Sequence, residues 1–260
     1  MFCTLLALRI DLNADVGESF GAYAIGHDAG LMRSITSANV AAGFHAGDPG
    51  VLRATIQRAK SHGVAVGAHP GFPDLAGFGR REMHMSPREA EDLVLYQIAA
   101  VAGVAHVEGV TLQHVKPHGA LYNMAARDVV LAGAVARAVA AYSHSLLLLG
   151  PPDSELLKAG RALGLRVAAE VFADRAYEPD GSLVSRKKIG AVIHDVDVVI
   201  ERAVKMAKER TVVAIDGSIV HVAAETICVH GDTPGADDLA AKLRTALENA
   251  GVAVKPIAAS

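Results

Sequence analysis

SANVAAGFHAGDPGVLRATIQRAKSHGVAVGAHPG, residues 37–71, contains one complete strand–helix–strand unit. Ala38–Phe44 is an apolar run that ends in His45. Asp48-Pro49 then reads as a helix N-cap followed by proline at the first helical position. Leu52, Ile56 and Ala59 repeat at helical spacing, and Gly63 stops the helix. Val64–Ala68 starts the next apolar run, which ends in His69. Both runs are apolar on both sides of the pleat, as strands covered on both faces should be.

The same alternation extends in both directions. Strand-like runs occur at Leu6–Leu12, Leu112–Lys116, Ser145–Leu149, Val167–Phe172 and Ile227–Val229. Between them Ser86-Pro87-Arg88-Glu89 forms a capping box, followed by Leu93, Gln97 and Val101. Further apolar stripes run through Val196, Val199, Ile200, Ala203 and Met206, and through Leu239, Leu243 and Leu247. Repeated β-α order predicts parallel strands joined by right-handed crossovers. Seven strands in 260 residues fit one irregular TIM-like (β/α)7 barrel over residues 1–260, with a doubly wound open sheet as the alternative. Gly71–Arg81, with Gly71, Pro73, Gly77 and Gly79, has no period and reads as a long loop over the barrel mouth.

Composition narrows the function classes. The chain is 51% hydrophobic and 20% charged with a formal net charge of −3, unlike the basic footprint of a nucleic-acid binder. Cys3 and Cys228 give neither a disulfide framework nor a metal motif, so a reducing, cytoplasmic setting is expected. MFCTLLALRI meets Arg9 and Asp11 too early for a signal peptide, and no run of about 18 uncharged apolar residues predicts a membrane span. Aromatics are 4% and tryptophan is absent, which argues against a stacking platform for sugars or bases. No GxxxxGK[ST] stretch is present.

Polar residues gather where strand-like runs end. The first run gives Asp11, Asn13, Asp15 and Glu18; the second His45 and Asp48, with Asn39 inside it; the third His69. The fourth gives Lys116 and His118, the sixth Glu170, Asp174 and Arg175, and the last His230 and Asp232. Strand C-termini share one face in parallel α/β folds, and sites are built there. Asp11, Asn13 and Asp15 alternate, so their side chains share a face. The spacing resembles the start of an EF-hand, but its glycine falls one place late and Ala22 stands where the last ligand belongs.

DLNADVGESFG (11–21), SANVAAGFHAGDP (37–49), GAHPGFPDLAGFGRR (67–81), HVKPHGALYN (114–123), EVFADRAYEPDGSLVSR (170–186) and ICVHGDTPGA (227–236) together resemble the LamB/YcsF family. The resemblance implies a barrel related to that of polysaccharide deacetylases. It also implies ATP-dependent opening of 5-oxo-L-proline, a small lactam, to L-glutamate together with subunits B and C. Three positions depart from the family's usual pattern: Ala42 replaces a cysteine, Gly71-Phe72 a frequent Ser-Tyr, and Thr233 an asparagine. Ala42 argues that no cysteine nucleophile is needed there.

Lactam opening needs a base for water, cations for phosphate and carboxylate, and donors for a developing oxyanion. Asp11, Asp15, His45, His69, Lys116 and His118 are the catalytic candidates. Asn13, Asn39, Tyr122, Asn123, Glu170, Arg175, Arg186, His230 and Asp232 are the substrate-binding candidates, with Arg175 and Arg186 as oxyanion clamps. Asp11 or Asp15 with His45 and His69 would suit a divalent metal of zinc or manganese type, while a general-base or oxyanion-donor role fits the histidines equally. The metal set leaves open an autonomous metal-dependent amidase or deacetylase. His114, inside a strand-like run, reads as a surface or packing residue, and a homo-oligomer stays compatible with the sequence.

Overall fold

The computed structural model describes residues 8–229 and 235–257. His230 and Asp232 therefore lie outside the described residues.

Strands β1 (Arg9–Val16), β2 (Ser37–Ala41), β3 (Ala65–His69), β4 (Leu112–Val115), β5 (Leu147–Gly150) and β6 (Arg166–Phe172) are laid side by side in chain order, all parallel. A small antiparallel hairpin of β7 (Thr211–Val213) and β8 (Ile219–His221) follows, outside the main sheet. Then β9 (Thr226–Val229) pairs with β6 on one edge and with β1 on the other, closing a seven-stranded barrel. That closure excludes the open doubly wound sheet. The last strand, β10 (Ala253–Val254), takes the stretch of β1 edge that β9 leaves uncovered, at Arg9 and Ile10.

Helices α1 (Asp28–Leu31), α2 (Pro49–Ser61), α3 (Pro87–Val107), α4 (Gly119–Ala125), α5 (Val129–Tyr142), α6 (Glu155–Ala162), α7 (Val196–Glu209) and α8 (Ala236–Asn249) follow the strands in sequence. Their starts are set by the expected chemistry. Asp48 accepts from the amides of Gly50 and Val51, and Ser86 and Glu89 form the reciprocal capping box. By length and composition α3 could cross a membrane, yet Ala90, Val94, Ile98, Val101 and Ala105 are buried within the protein.

β1 departs from expectation in a way that matters for the site. It runs from Arg9 to Val16, so Asp11, Asn13 and Asp15 lie inside the strand and not past its end. Ile10, Leu12, Ala14 and Val16 face outward and join the main apolar core. The alternate face points into the barrel, and it is polar. A polar inward face on a buried strand reads as a strand end when apolar runs are taken as the strand signal. Across the barrel Leu147, Leu149 and Ala168 form an apolar patch with Ile257. The barrel lumen is therefore polar on β1–β4, at Glu170 of β6 and at Thr226 of β9, with an apolar patch on β5 and the lower part of β6.

Candidate active site

The polar wall is one connected network. Asn13 Nδ2 donates to Glu170 Oε1 at 2.9 Å and to Thr226 Oγ1 at 2.6 Å. Asn39 Nδ2 donates to Asn13 Oδ1 at 2.7 Å and to Asp15 Oδ1 at 2.8 Å. His114 Nε2 lies 2.8 Å from Asn39 Oδ1, so that nitrogen carries the hydrogen. Gly67 makes room for the ring, since a Cβ there would stand 2.0 Å from His114 Nε2.

Lys116 crosses the barrel in this network. Its Nζ sits 2.8 Å from Asp15 Oδ1, 3.0 Å from Glu170 Oε1 and 3.0 Å from Cys228 Sγ, and the residue is buried. Burial would push the ammonium's pKa down. The neighbouring Asp15 and Glu170 carboxylates and Cys228 outweigh burial, and hold it well above the ordinary lysine value. Asp15 shows the converse. Burial would raise it, but His69 and the Lys116 ammonium beside it keep it well below the usual carboxylate range. Asp15 is thus an ionised acceptor and Lys116 a fixed cation. Burial also raises the Cys228 thiol and, with Glu170 beside it, the Tyr122 phenol. Neither supplies an anionic nucleophile near neutral pH.

Above this layer, the ends of four consecutive strands supply Glu18, His45, His69 and His118, all buried. One ligating atom from each lies within 4.8 Å of every other, so the group could hold a metal ion. The His45 and His118 rings stack at a centroid distance of 3.9 Å, and His69 stands edge-on to both. Burial, then the neighbouring histidines, lower His45 well below the ordinary histidine value and His118 to about 3.

The expected loop covers this cluster. Asp74 caps a short 3-10 turn at Leu75–Gly77, and hydrogen bonds from Arg81 pull its carboxyl down to about 2. Phe78 follows at φ 53°, a conformation that costs an L-residue about 1–2 kcal/mol, and its carbonyl accepts from His118. Gly71 and Gly79 let the loop press close: a Cβ on Gly71 would lie 2.5 Å from His45 Nδ1, and one on Gly79 2.8 Å from His118 Cδ2.

Of the sequence candidates, the fold brings together Asn13, Asp15, Asn39, His45, His69, Lys116, His118 and Glu170, with Tyr122 at the Glu170 side. Asp11 is elsewhere. It sits low in β1, accepting from Thr36, Ser37 and Thr226 hydroxyls, and lines a cavity of about 390 Å³ at the N-terminal end of the barrel. Asn123 is exposed on α4, and Arg186 is exposed as well. Arg175 is buried and donates to the carbonyls of Ala191 and Val184, tying down the segment after β6. Burial and nearby Arg186 lower it to about 10. The four-donor group holds Glu18 and His118 where the sequence put Asp11 or Asp15 beside His45 and His69. His114 and Cys228 were also given no place in the site. His114 lies on β4 and Lys116 follows two residues later, just past the strand's end, a spacing that puts both side chains on the same face.

The family model of the LamB/YcsF family matches residues 10–260. The chain belongs to this family. Among LamB/YcsF relatives, the 5-oxoprolinase A subunit of Chloroflexus aggregans is 57% identical over 248 residues, spanning 95% of this chain and 98% of that one. That of Thermococcus onnurineus is 52% identical over 250 residues, spanning 96% and 98%. The solved lactam utilization protein of Thermus thermophilus superposes with a TM-score of 0.92 at 48% identity, covering 96% of this chain and all of its own. A putative cellobiose-phosphate cleavage protein of Enterococcus faecalis, at a TM-score of 0.55 and 14% identity, shares the fold alone.

Proposed function

We propose that this LamB/YcsF chain is the A subunit of an ATP-dependent 5-oxoprolinase, which opens 5-oxo-L-proline to L-glutamate together with subunits B and C. The observation that carries this reading is the end-to-end match, at 57% identity, to a relative bearing that name.

The site's chemistry is compatible with the reaction. A five-membered lactam is a stable amide, and coupling to ATP makes its opening favourable. Transfer of the γ-phosphoryl group to the lactam oxygen, with ADP departing, activates the ring carbon. Water adds there, the ring C–N bond breaks with the nitrogen taking a proton, and a second water releases phosphate from the acyl phosphate. In this scheme the ionised Asp15 accepts the lactam N–H, and Lys116 fixes positive charge beside the reacting carbonyl. The histidine cluster is proposed to position the attacking water. Asn13, Asn39, Tyr122 and Glu170 are proposed to line the substrate side. ATP is proposed for the whole assembly.

The test is reconstitution. The chain mixed with subunits B and C, 5-oxo-L-proline, ATP and magnesium is expected to yield glutamate and ADP in equal amounts, with little turnover by the chain alone. No glutamate from the full assembly overturns the proposal. Glutamate from the chain alone without ATP would replace it with a partner-free amidase.

A further inference from the structure

The hydrogen bonds around His69 and His118 leave two lone pairs facing each other. His69 Nδ1 lies 2.7 Å from the carbonyl oxygen of Lys116, and His118 Nε2 lies 2.8 Å from that of Phe78. A carbonyl can only accept, so both of those nitrogens carry the ring hydrogen. The remaining nitrogens, His69 Nε2 and His118 Nδ1, are then acceptors in the neutral rings, yet they stand 2.9 Å apart, and Asp15 Oδ2 lies a further 3.4 Å from His69 Nε2. Two acceptors at that distance need something positive between them. His45 adds a second demand: it is 1% exposed, and neither of its ring nitrogens has a hydrogen-bond partner. Such orphaned buried nitrogens are costly unless a ligand meets them. Glu18 Oε1 lies 3.8 Å from His45 Nε2 and 3.7 Å from His118 Nδ1, supplying negative charge on the same spot.

We propose that Glu18, His45, His69 and His118 form a binding site for one divalent first-row transition metal ion, of which zinc is the best match. Three imidazole nitrogens and one carboxylate oxygen are a donor set such ions favour. The backbone carbonyls behind His69 and His118 hold the rings with their free nitrogens inward, as second-layer acceptors do in metal sites. Around a tetrahedral ion with bonds of about 2.0–2.1 Å, donors are separated by about 3.3 Å. The pair at 2.9 Å would part slightly and Glu18 at 3.7–3.8 Å would draw in, so the cluster already brackets the required spacing. This set replaces Asp11, which lies at the other end of the barrel, and keeps Asp15 as a neighbouring carboxylate, 2.8 Å from Lys116 Nζ and 3.4 Å from His69 Nε2. The inference does not rest on the oxoprolinase reading.

The untagged full-length chain, stripped with a chelator, is titrated with zinc chloride by calorimetry and with cobalt chloride by visible absorption. About one equivalent is expected to bind, with the intense cobalt bands of a four-coordinate nitrogen–oxygen site. His45→Ala is expected to weaken binding at least about tenfold. Glu18→Gln, which keeps the side chain's size, covers the case in which His45→Ala does not fold. His62→Ala, at an exposed histidine after α2, is expected to bind as the parent does. No saturable heat and no cobalt bands in the parent chain overturn the proposal, leaving a shared proton to satisfy the histidine pair. Unchanged binding in both His45→Ala and Glu18→Gln overturns it equally, since the ion would then sit elsewhere. Glutamate formation by a metal-free assembly would leave the oxoprolinase reading intact while denying this site a part in turnover.

Discussion

Asp11 and Asp15 lie on one strand, on one face, four residues or about 13 Å apart, and their carboxyl groups are pushed in opposite directions. Asp15 meets His69 and the Lys116 ammonium, which together outweigh burial and hold it ionised. Asp11 meets only hydroxyls. Thr36 and Ser37 donate at 2.7 and 2.6 Å and Thr226 at 2.5 Å, and these bonds do lower its pKa. Burial still wins, helped by the charge of Glu170, and Asp11 is raised. Neutral dipoles do not replace a full counter-charge inside a barrel. The same alternation of acid residues thus yields an ionised acceptor at the strand's C-terminal end and, at the other, a carboxyl group that holds its proton more tightly than usual.

The sharpest way to break that contrast is to remove the cation. Lys116→Met leaves Asp15 and Glu170 facing each other across a buried space with no positive charge between them. Stripping one partner from a buried pair costs about 3–5 kcal/mol. Urea unfolding at neutral pH is expected to register a loss of that size, and the reconstituted assembly to lose glutamate formation. A loss below about 1 kcal/mol would mean that Lys116 is not what keeps Asp15 ionised.

This arrangement was only partly legible beforehand. All seven barrel strands follow from apolar runs and helix caps, because burial on both faces leaves that imprint. The β7–β8 hairpin did not, although Asp216-Gly217 between Val213 and Ile219 is a strong turn signal. Its strands are three residues each, too short to stand out as runs. Polar residues from six strand ends were expected to share one face; Asp15, His45, His69, Lys116 with His118, and Glu170 come together from five of them, Asp11 lies at the opposite end of the barrel, and His230 and Asp232 lie outside the described residues. Partnership was not readable. Nothing in the spacing of Lys116 says that it bridges Asp15 to Glu170, whose positions in the chain are 155 residues apart. Nor does sequence reveal that a backbone carbonyl at Phe78 fixes the tautomer of His118. Such facts depend on closure of the barrel, which brings β6 and β9 against β1.

A smaller effect separates the network from the charges it carries. His114 is buried and neutral, lowered to about 3 chiefly by burial, then by the charges of Lys116 and His69. Its folded value lies below the unfolded value of about 6.5. The stability it protects is therefore complete above pH 6.5 and is lost as pH falls toward 3. Between pH 6.5 and 4 the wild-type chain is expected to lose up to about 3 kcal/mol on this account. His114→Gln keeps an amide donor toward Asn39 Oδ1 and does not titrate, so its unfolding free energy should fall less steeply over that range. Equal acid slopes would show that His114 is already protonated in the folded chain.

Asp11→Asn tests the quieter end of β1, and its sign is opposite to that of an ordinary paired carboxylate. The folded pKa of Asp11 lies above the unfolded value of about 3.9. Its favourable contribution is then fully present below about pH 4 and is lost as pH rises through the folded value. Asparagine has no such dependence. The stability advantage of wild type over Asp11→Asn is expected to shrink between pH 4 and pH 8. Urea midpoints at both pH values measure it, provided the slope of the unfolding line is unchanged. An advantage that grows with pH would mean that Thr36, Ser37 and Thr226 suffice to hold a buried charge. Asp11 and Asp15 would then be two ionised groups on one strand face, and Lys116 would lose its claim to be what separates them.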